Sequence, residues 1–282
     1  MIRYPTTEAA LLSQIDAASP TWRSRAADRT KGILKAKRYD EPAGIWSEVK
    51  PVFMSLQRNK CAFCERRLEG LPYGRIEHDL EHFRPKSEVR VWPTDELRAA
   101  RGIHYPFATG SANANGYYRL AYAPLNYAAA CKPCNTTLKS SFFPVRGRRQ
   151  TKASEPRACA SERPLLIYPI GDVDDDPEAL ISFHGIRCQP VHPSGDSYWR
   201  ALVTIEFFSL NVRDELLYQR AQQIVTLFRL DPVEDAGLRD ALCKDSAPHS
   251  NCTRAFWNLM QADPQEAEAQ FEIARAYIES QS

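Results

Sequence analysis

The chain has 282 residues, 43% of them hydrophobic and 26% charged, which is ordinary for a globular protein with a sizeable core. No apolar run approaches the roughly 18 residues that a membrane-spanning helix needs. The N-terminus also lacks the basic and then apolar layout of a secretory signal peptide. We therefore expect a cytoplasmic protein with no membrane partner.

The formal net charge of +2 conceals a strong asymmetry along the chain. Residues 57–152 carry 17 Lys and Arg against 8 Asp and Glu, whereas residues 153–282 carry 11 against 21. A basic middle region is the expected footprint of a protein that binds a polyanion, so it favours nucleic acid as a partner.

Residues 1–56 are predicted to form an N-terminal helical region. The stretch TTEAALLSQIDAA at residues 6–18 indicates a short helix with a Thr cap. The stretch after Pro20 also has a helical pattern. Apolar residues within residues 45–56 recur close to helical spacing, and this segment leads directly to Cys61.

Residues 57–152 are predicted to form a loop-rich core region. The stretch LPYGRIEHDLEHF at residues 71–83 suits a turn followed by a strand. TDELRAARG at residues 94–102 indicates a short helix. An Asn-Gly turn, a short aromatic strand and a helix through residues 131–134 are predicted after it.

Residues 153–282 are predicted to form a mainly helical region with a β-hairpin. The stretch PLLIYP at residues 164–169 reads as a strand, and an acidic loop and the hairpin follow it. Residues 196–230 have the strongest helical pattern, with a break at SLN, residues 209–211. The tail gives two more helices, separated near residues 262–264.

Four of the eight cysteines form two Cys-x-x-Cys pairs, which are Cys61 with Cys64 and Cys131 with Cys134. Four thiolates are the ligand set of a closed structural zinc site. Redox chemistry or unrelated buried cysteines are the alternatives, but two pairs favour zinc. The other four cysteines are predicted to be small buried residues.

Three short stretches near these pairs resemble a known family. They are EHFRPKS at residues 81–87, PLNYAAAC at residues 124–131 and CKPCNTTLK at residues 131–139. Together they resemble an HNH endonuclease with its structural zinc. The resemblance implies an α+β fold with a ββα-metal core, in which a hairpin and a helix hold one divalent cation, flanked by N- and C-terminal helices.

The resemblance also implies roles for four residues of this sequence. His82 resembles the general base, and Glu81 resembles the first cation ligand. Asn126 resembles the asparagine that braces the loop carrying the base. Asn135 resembles the second cation ligand, a position at which many members of the family have His. Such a set suits phosphodiester hydrolysis, because His is a base near neutral pH and oxygen ligands suit Mg²⁺ or Mn²⁺.

Two residues beside this set have open roles. His78 is predicted to share a strand face with His82, where it either contacts the phosphate or is simply a polar strand residue. Asp79 is predicted to share the face of Glu81 and is a candidate extra ligand. Five cations are candidate nucleic-acid contacts, with a solvated basic loop as the alternative for the last three: Lys86, Lys139, Arg146, Arg148 and Arg149.

The similarity extends over roughly residues 45–225. The stretches LLIYPIGDVDDDP and TIEFFSLN resemble the region after the nuclease core in HNH proteins of retron and Septu-type anti-phage systems. This implies a defence nuclease that cleaves DNA and works with a separately encoded ATPase. Two alternatives stay open: a zinc-stabilised nucleic-acid-binding or scaffold protein with an inactive HNH site, and an ordinary restriction-type HNH nuclease.

Overall fold

The computed structural model describes residues 1–70 and 73–281, so residues 71–72, where the predicted turn and strand of residues 71–83 begin, lie outside the described residues. The described helices are α1 Glu8–Ala18, α2 Trp22–Ala36, α3 Lys50–Leu56, α4 Asp95–Arg101, α5 Pro177–Leu180, α6 Gly195–Phe207, α7 Asp214–Phe228, α8 Ala236–Cys243, α9 Ser250–Ala262 and α10 Pro264–Ser280. The described strands are β1 His78–His82, β2 Tyr127–Cys131, β3 Ile181–His184 and β4 Arg187–Pro190. The fold is therefore α+β, as predicted.

Strands β1 and β2 form an antiparallel pair, in which His78 lies opposite Cys131 and His82 lies opposite Tyr127. Side chains on β1 alternate between buried and half-buried, whereas every residue of β2 is buried. A helical segment with π-type hydrogen bonds, Pro133–Lys139, follows β2 almost directly. The two Cys-x-x-Cys pairs meet at the end of the β1–β2 pair from which this helical segment continues.

The N-terminal and C-terminal helices begin and end close to where the sequence predicts. Thr7 caps α1, because its side chain accepts a hydrogen bond from the backbone N–H of Ala10. The predicted break between α6 and α7 is present, and Ser209 there has a left-handed backbone with φ of 52°. The predicted hairpin after the acidic loop is β3 paired with β4.

Two predicted strands are wrong. The aromatic segment before β2 forms a 3₁₀ helix, Tyr118–Leu120, and a second 3₁₀ turn begins at Pro124. Residues 164–169 run without a strand ladder and make one isolated bridge, at Pro164 with Val145. Pro164 and Pro169 explain the second outcome, because a proline has no N–H to donate to a ladder.

The hydrophobic core packs across the predicted region boundaries at residues 56/57 and 152/153. Phe53 of α3 lies edge-on to Tyr127 of β2, with ring centroids 5.8 Å apart. Phe63 stacks on Phe208, which follows α6, at 4.3 Å. The division into three domains stays a prediction. None of the described helices is long and apolar enough to cross a membrane.

Candidate metal centre and adjoining cleft

The four cysteines of the two pairs converge at the end of the β1–β2 pair. Their sulfur atoms all lie within 4.8 Å of one another, and all four residues are buried. The Sγ atoms of Cys64 and Cys131 are 3.8 Å apart. Four thiolates at this spacing fit a tetrahedral structural metal such as zinc, and they leave it no open coordination position.

Two polar groups around the cysteine cluster offset its negative charge. The backbone N–H of Cys131 donates to Cys61 Sγ at 3.4 Å, and Arg213 Nη1 donates to Cys134 Sγ at 3.2 Å. Hydrogen bonds of this kind orient metal ligands and tune their basicity. Arg213 lies 79 residues from its partner, in a stretch predicted only to be helical, so no local pattern marks it as a contact of the cysteine cluster.

His82 lies at the end of β1 and is almost fully buried, with 4% of its surface exposed. Its Nε2 lies 3.0 Å from the carbonyl oxygen of Ala121. A carbonyl oxygen can only accept, so Nε2 carries the proton and Nδ1 keeps a free lone pair. Burial lowers the pKa of His82 well below its usual value, and Lys86 adds to this effect. The imidazole is therefore neutral near pH 7.

Two aromatic side chains hold the His82 ring. Trp46 and Tyr127 both meet it edge-on, with centroid distances of 4.8 and 5.0 Å. The Tyr127 hydroxyl donates to the same Ala121 carbonyl at 2.6 Å. The ring is therefore fixed in one orientation by residues from the N-terminal region and from β2.

Glu81 and His82 line one cleft of about 260 Å³, together with Lys86 and Ser140. Burial raises the pKa of Glu81 to about 7, although Lys139 and Lys86 oppose this shift. Lys139 Nζ lies 3.5 Å from the Glu81 carboxylate and is fully buried. Burial lowers the pKa of Lys139 to about 8. The carboxylate thus lies in a place where an added positive charge would stabilise its ionised form.

Asn126 is fully buried and binds the main chain just after His82. Its Oδ1 accepts from the N–H of Arg84 at 2.8 Å, and its Nδ2 donates to the carbonyl of Arg84 at 3.0 Å. A third bond joins Nδ2 to the carbonyl of Leu120 at 3.3 Å. These bonds fix the loop that continues from His82 and β1.

Asn135 contacts Asp79, which lies two residues before Glu81 on β1. Asn135 Nδ2 donates to Asp79 Oδ2 at 2.9 Å, and Lys132 Nζ lies 2.5 Å from the same oxygen. The amide of Asn135 is therefore directed at Asp79 and not at Glu81. Its Oδ1 has no hydrogen-bond partner among the described residues, so it is available as an oxygen ligand.

His78 does not line the cleft of Glu81 and His82. It is 1% exposed, and its Nε2 lies 3.0 Å from the carbonyl of Glu69. Burial lowers the pKa of His78. Among its predicted roles, this placement favours a structural position on the strand.

The five candidate nucleic-acid contacts have different environments. Lys86 lies over the rings of Trp46 and Tyr39 at the cleft, and Lys139 is buried against Glu81. Arg146 pairs with Asp196. Arg149 donates to the carbonyls of Ser111 and Phe143. Arg148 is exposed. Their predicted contact with nucleic acid stays a prediction.

The chain is similar to one curated protein, the Septu protein PtuB of Bacillus mycoides (strain KBAB4). The two are 26% identical over 176 residues, which are 62% of this chain and 52% of the relative. The chain thus matches about half of the length of this relative. No family model matches the sequence, and no solved structure matches it.

Proposed function

We propose that the protein is a metal-dependent HNH endonuclease that hydrolyses DNA phosphodiester bonds in anti-phage defence. The observation that carries this proposal is the geometry of His82. Its imidazole is neutral, and its Nε2–H donates to a backbone carbonyl, which leaves Nδ1 free to accept a proton. His82 lines the same cleft as Glu81. A buried neutral histidine beside a carboxylate suits general-base chemistry.

In this proposal each side chain has one task in hydrolysis. His82 Nδ1 accepts a proton from the attacking water. The Ala121 carbonyl holds the opposite nitrogen, so the ring keeps its tautomer while the proton moves. Lys86 lines the same cleft, and its ammonium can bind a phosphate oxygen of the substrate. Asn126 keeps the loop that carries Lys86 in place.

The oxygen donors of this region fit a hard divalent cation. Glu81 and Asn135 would hold Mg²⁺ or Mn²⁺, and Asp79 is the neighbouring carboxylate that could join them. The observation behind this fit is the largely buried Glu81 side chain, 12% exposed, whose pKa stays raised even with Lys139 beside it. A bound cation supplies charge neutralisation for the phosphate and the leaving oxygen.

The defence role and the partner rest on similarity. The relative carries the name of a Septu protein, and the resemblance in residues 81–87, 124–131 and 131–139 implies an HNH subunit. We propose that a separately encoded ATPase works with this chain. The basic region of residues 57–152 supports DNA as the substrate.

A second function is a zinc-stabilised nucleic-acid-binding or scaffold protein with an inactive HNH site. The observation that favours it is Lys139, whose buried ammonium already lies 3.5 Å from the Glu81 carboxylate. That ammonium supplies a positive charge where the proposed cation would bind. An ordinary restriction-type nuclease is a third candidate, and it would cleave without a partner chain.

Plasmid cleavage by three variants over a Mg²⁺ and Mn²⁺ titration tests the proposal. We expect His82→Ala to lose about 10²–10⁴-fold in rate, because a positioned base contributes that much. His78→Ala, the matched control on the same strand face, should cost much less. Asn135→Ala should weaken cation binding, and excess cation should partly restore its cleavage rate.

Zinc content and circular dichroism of each variant establish that it is folded. The neighbouring ATPase, where a gene for one is found, is added in a parallel set of reactions. If folded parent protein cleaves nothing with any cation or partner, the scaffold function is favoured. If His78→Ala is inactive while His82→Ala cleaves normally, the base is on the other histidine.

A further inference from the structure

A second cavity, of about 270 Å³, lies between the segment after His82 and the C-terminal region. It shares no lining residue with the cleft of Glu81 and His82. Its inner wall is apolar, because the lining residues Phe83, Leu165 and Tyr168 are each at most 2% exposed. Such a combination of concave apolar wall and a few polar groups is typical of small-molecule sites.

Arg84 is the buried cation of this cavity, with 4% of its surface exposed. Its Nε donates to Glu162 Oε1 at 2.7 Å. Among the described residues, no acceptor binds its Nη1 or Nη2. These Nη atoms are not fully buried, so they face the open space of the cavity. A guanidinium prefers two parallel bonds to a carboxylate or phosphate. The free edge of Arg84 is therefore suited to an oxyanion.

Four further arginines line the cavity. Arg200 pairs with two aspartates of the wall, and each of the other three has an exposed partner. Arg146 and Arg163 share Asp196, and Arg157 pairs with Asp172. These two aspartates are 53% and 69% exposed. Exposed ion pairs contribute little to stability, because water screens them. The three arginines can therefore exchange an aspartate for an incoming anion at little cost.

Two other carboxylates of the lining should repel a bound anion only weakly, because each pairs with an arginine. Asp174 and Asp175 both pair with Arg200, at 2.6 and 2.7 Å. Asp174 also accepts from the backbone N–H of Tyr168 at 2.8 Å. Their charges are thus compensated within the wall. In the described lining, Arg84 is the arginine whose two Nη atoms both lack an acceptor.

We propose that this cavity binds a small molecule that carries a carboxylate or phosphate on a flat apolar body. The oxyanion binds the Nη atoms of Arg84, and the apolar body packs against Phe83, Leu165 and Tyr168. A cavity of this volume admits a small molecule and excludes a DNA duplex. This proposal does not depend on the proposed nuclease activity, because binding alone tests it.

Calorimetric titration with simple probes tests the site without added divalent cation. Phenyl phosphate and benzoate carry both the anion and the flat body, and they distinguish phosphate from carboxylate. Inorganic phosphate and benzyl alcohol each lack one of the two parts. We expect one equivalent of phenyl phosphate or benzoate to bind with a Kd below about 1 mM, and at least about tenfold more tightly than inorganic phosphate or benzyl alcohol.

Two tryptophan variants on one 3₁₀ helix, Pro156–Glu162, locate the binding. Ala160 and Ala158 are both exposed on it, but only Ala160 lines the cavity. We expect Ala160→Trp to weaken binding by at least about tenfold and Ala158→Trp to leave it unchanged. Lys86→Ala, in the other cleft, should also leave binding unchanged. The proposal would be overturned if Lys86→Ala abolished binding while Ala160→Trp left it intact. It would also be overturned if neither phenyl phosphate nor benzoate bound.

Discussion

At the scale of single residues, burial decides the protonation state of the histidines that matter. His82 and His249 are at most 4% exposed, and burial lowers the pKa of both. Each ring has one nitrogen held by an oxygen, from Ala121 for His82 and from Gln219 for His249. His78 is likewise buried, and its Nε2 is held by the Glu69 carbonyl. What sets His82 apart from the other two is the cleft that it lines together with the candidate cation ligand Glu81.

We predict that His249→Asn makes the protein less sensitive to acid. The pKa of His249 is lowered to about 3 by burial, with Arg220 adding to the effect. Between pH 6.5 and pH 3 the unfolded chain therefore binds a proton at this histidine that the folded chain does not. The free energy of unfolding then falls by up to about 1.4 kcal/mol for each unit of decreasing pH.

Denaturant unfolding at several pH values between 7 and 4 measures this slope. Asn suits the left-handed backbone of His249, whose φ is 53°. We expect His249→Asn to have a shallower slope than the parent, whatever its stability at pH 7. His104→Asn, at an exposed histidine, is the matched control and should keep the slope of the parent. Equal slopes in all three proteins would contradict the assignment.

The residues that the sequence could identify are those whose chemistry shows in local spacing. The four cysteines come together as the two Cys-x-x-Cys pairs predict. Arg213, Trp46 and the Arg84–Glu162 pair were missed, because each acts through a partner that is distant in sequence. Arg84 and its acceptor lie 78 residues apart, and nothing local marks either of them.

At the scale of elements, the β1–β2 pair and its two flanking segments build the candidate site. The alternating pattern of residues 78–82 was enough to predict β1, because one face is buried and the other is not. The aromatic segment before β2 was misread as a strand, since buried aromatic residues suit a strand and a 3₁₀ turn equally well. The pairing of β1 with β2 across residues 83–126 depends on the whole fold and not on any turn motif.

Asn126 connects these elements. We predict that Asn126→Ala destabilises the protein by about 1–3 kcal/mol, because it leaves a buried backbone group without its hydrogen-bond partner. The N–H and carbonyl of Arg84 both lose their bonds to the side chain. Denaturant unfolding measures the loss. Asn115→Ala, at an exposed position, should unfold with a free energy close to that of the parent. A similar loss of stability in both variants would contradict the role of Asn126 in holding the loop after β1.

At the scale of the whole molecule, the cysteine cluster ties the middle of the chain to its C-terminal part. Phe63 lies between Cys61 and Cys64 and stacks on Phe208 at 4.3 Å, with an angle of 11° between the rings. Arg213 reaches Cys134 from just before α7. Metal affinity at such a site includes the free energy of ordering its ligands, so it should depend on these distant contacts.

We therefore predict that Phe208→Ala weakens zinc binding as well as the fold. Loss of this buried ring should cost about 3–5 kcal/mol of unfolding free energy and loosen the loop that carries Cys61 and Cys64. Phe271→Ala is the matched control, because Phe271 stacks on Phe228 at the same 4.3 Å. Chelator competition on folded protein should show faster zinc loss in Phe208→Ala than in Phe271→Ala. Equal rates of zinc loss in the two variants would mean that the C-terminal part supports the fold without supporting the metal site. A parent protein that contains no zinc would contradict the prediction of a structural zinc site.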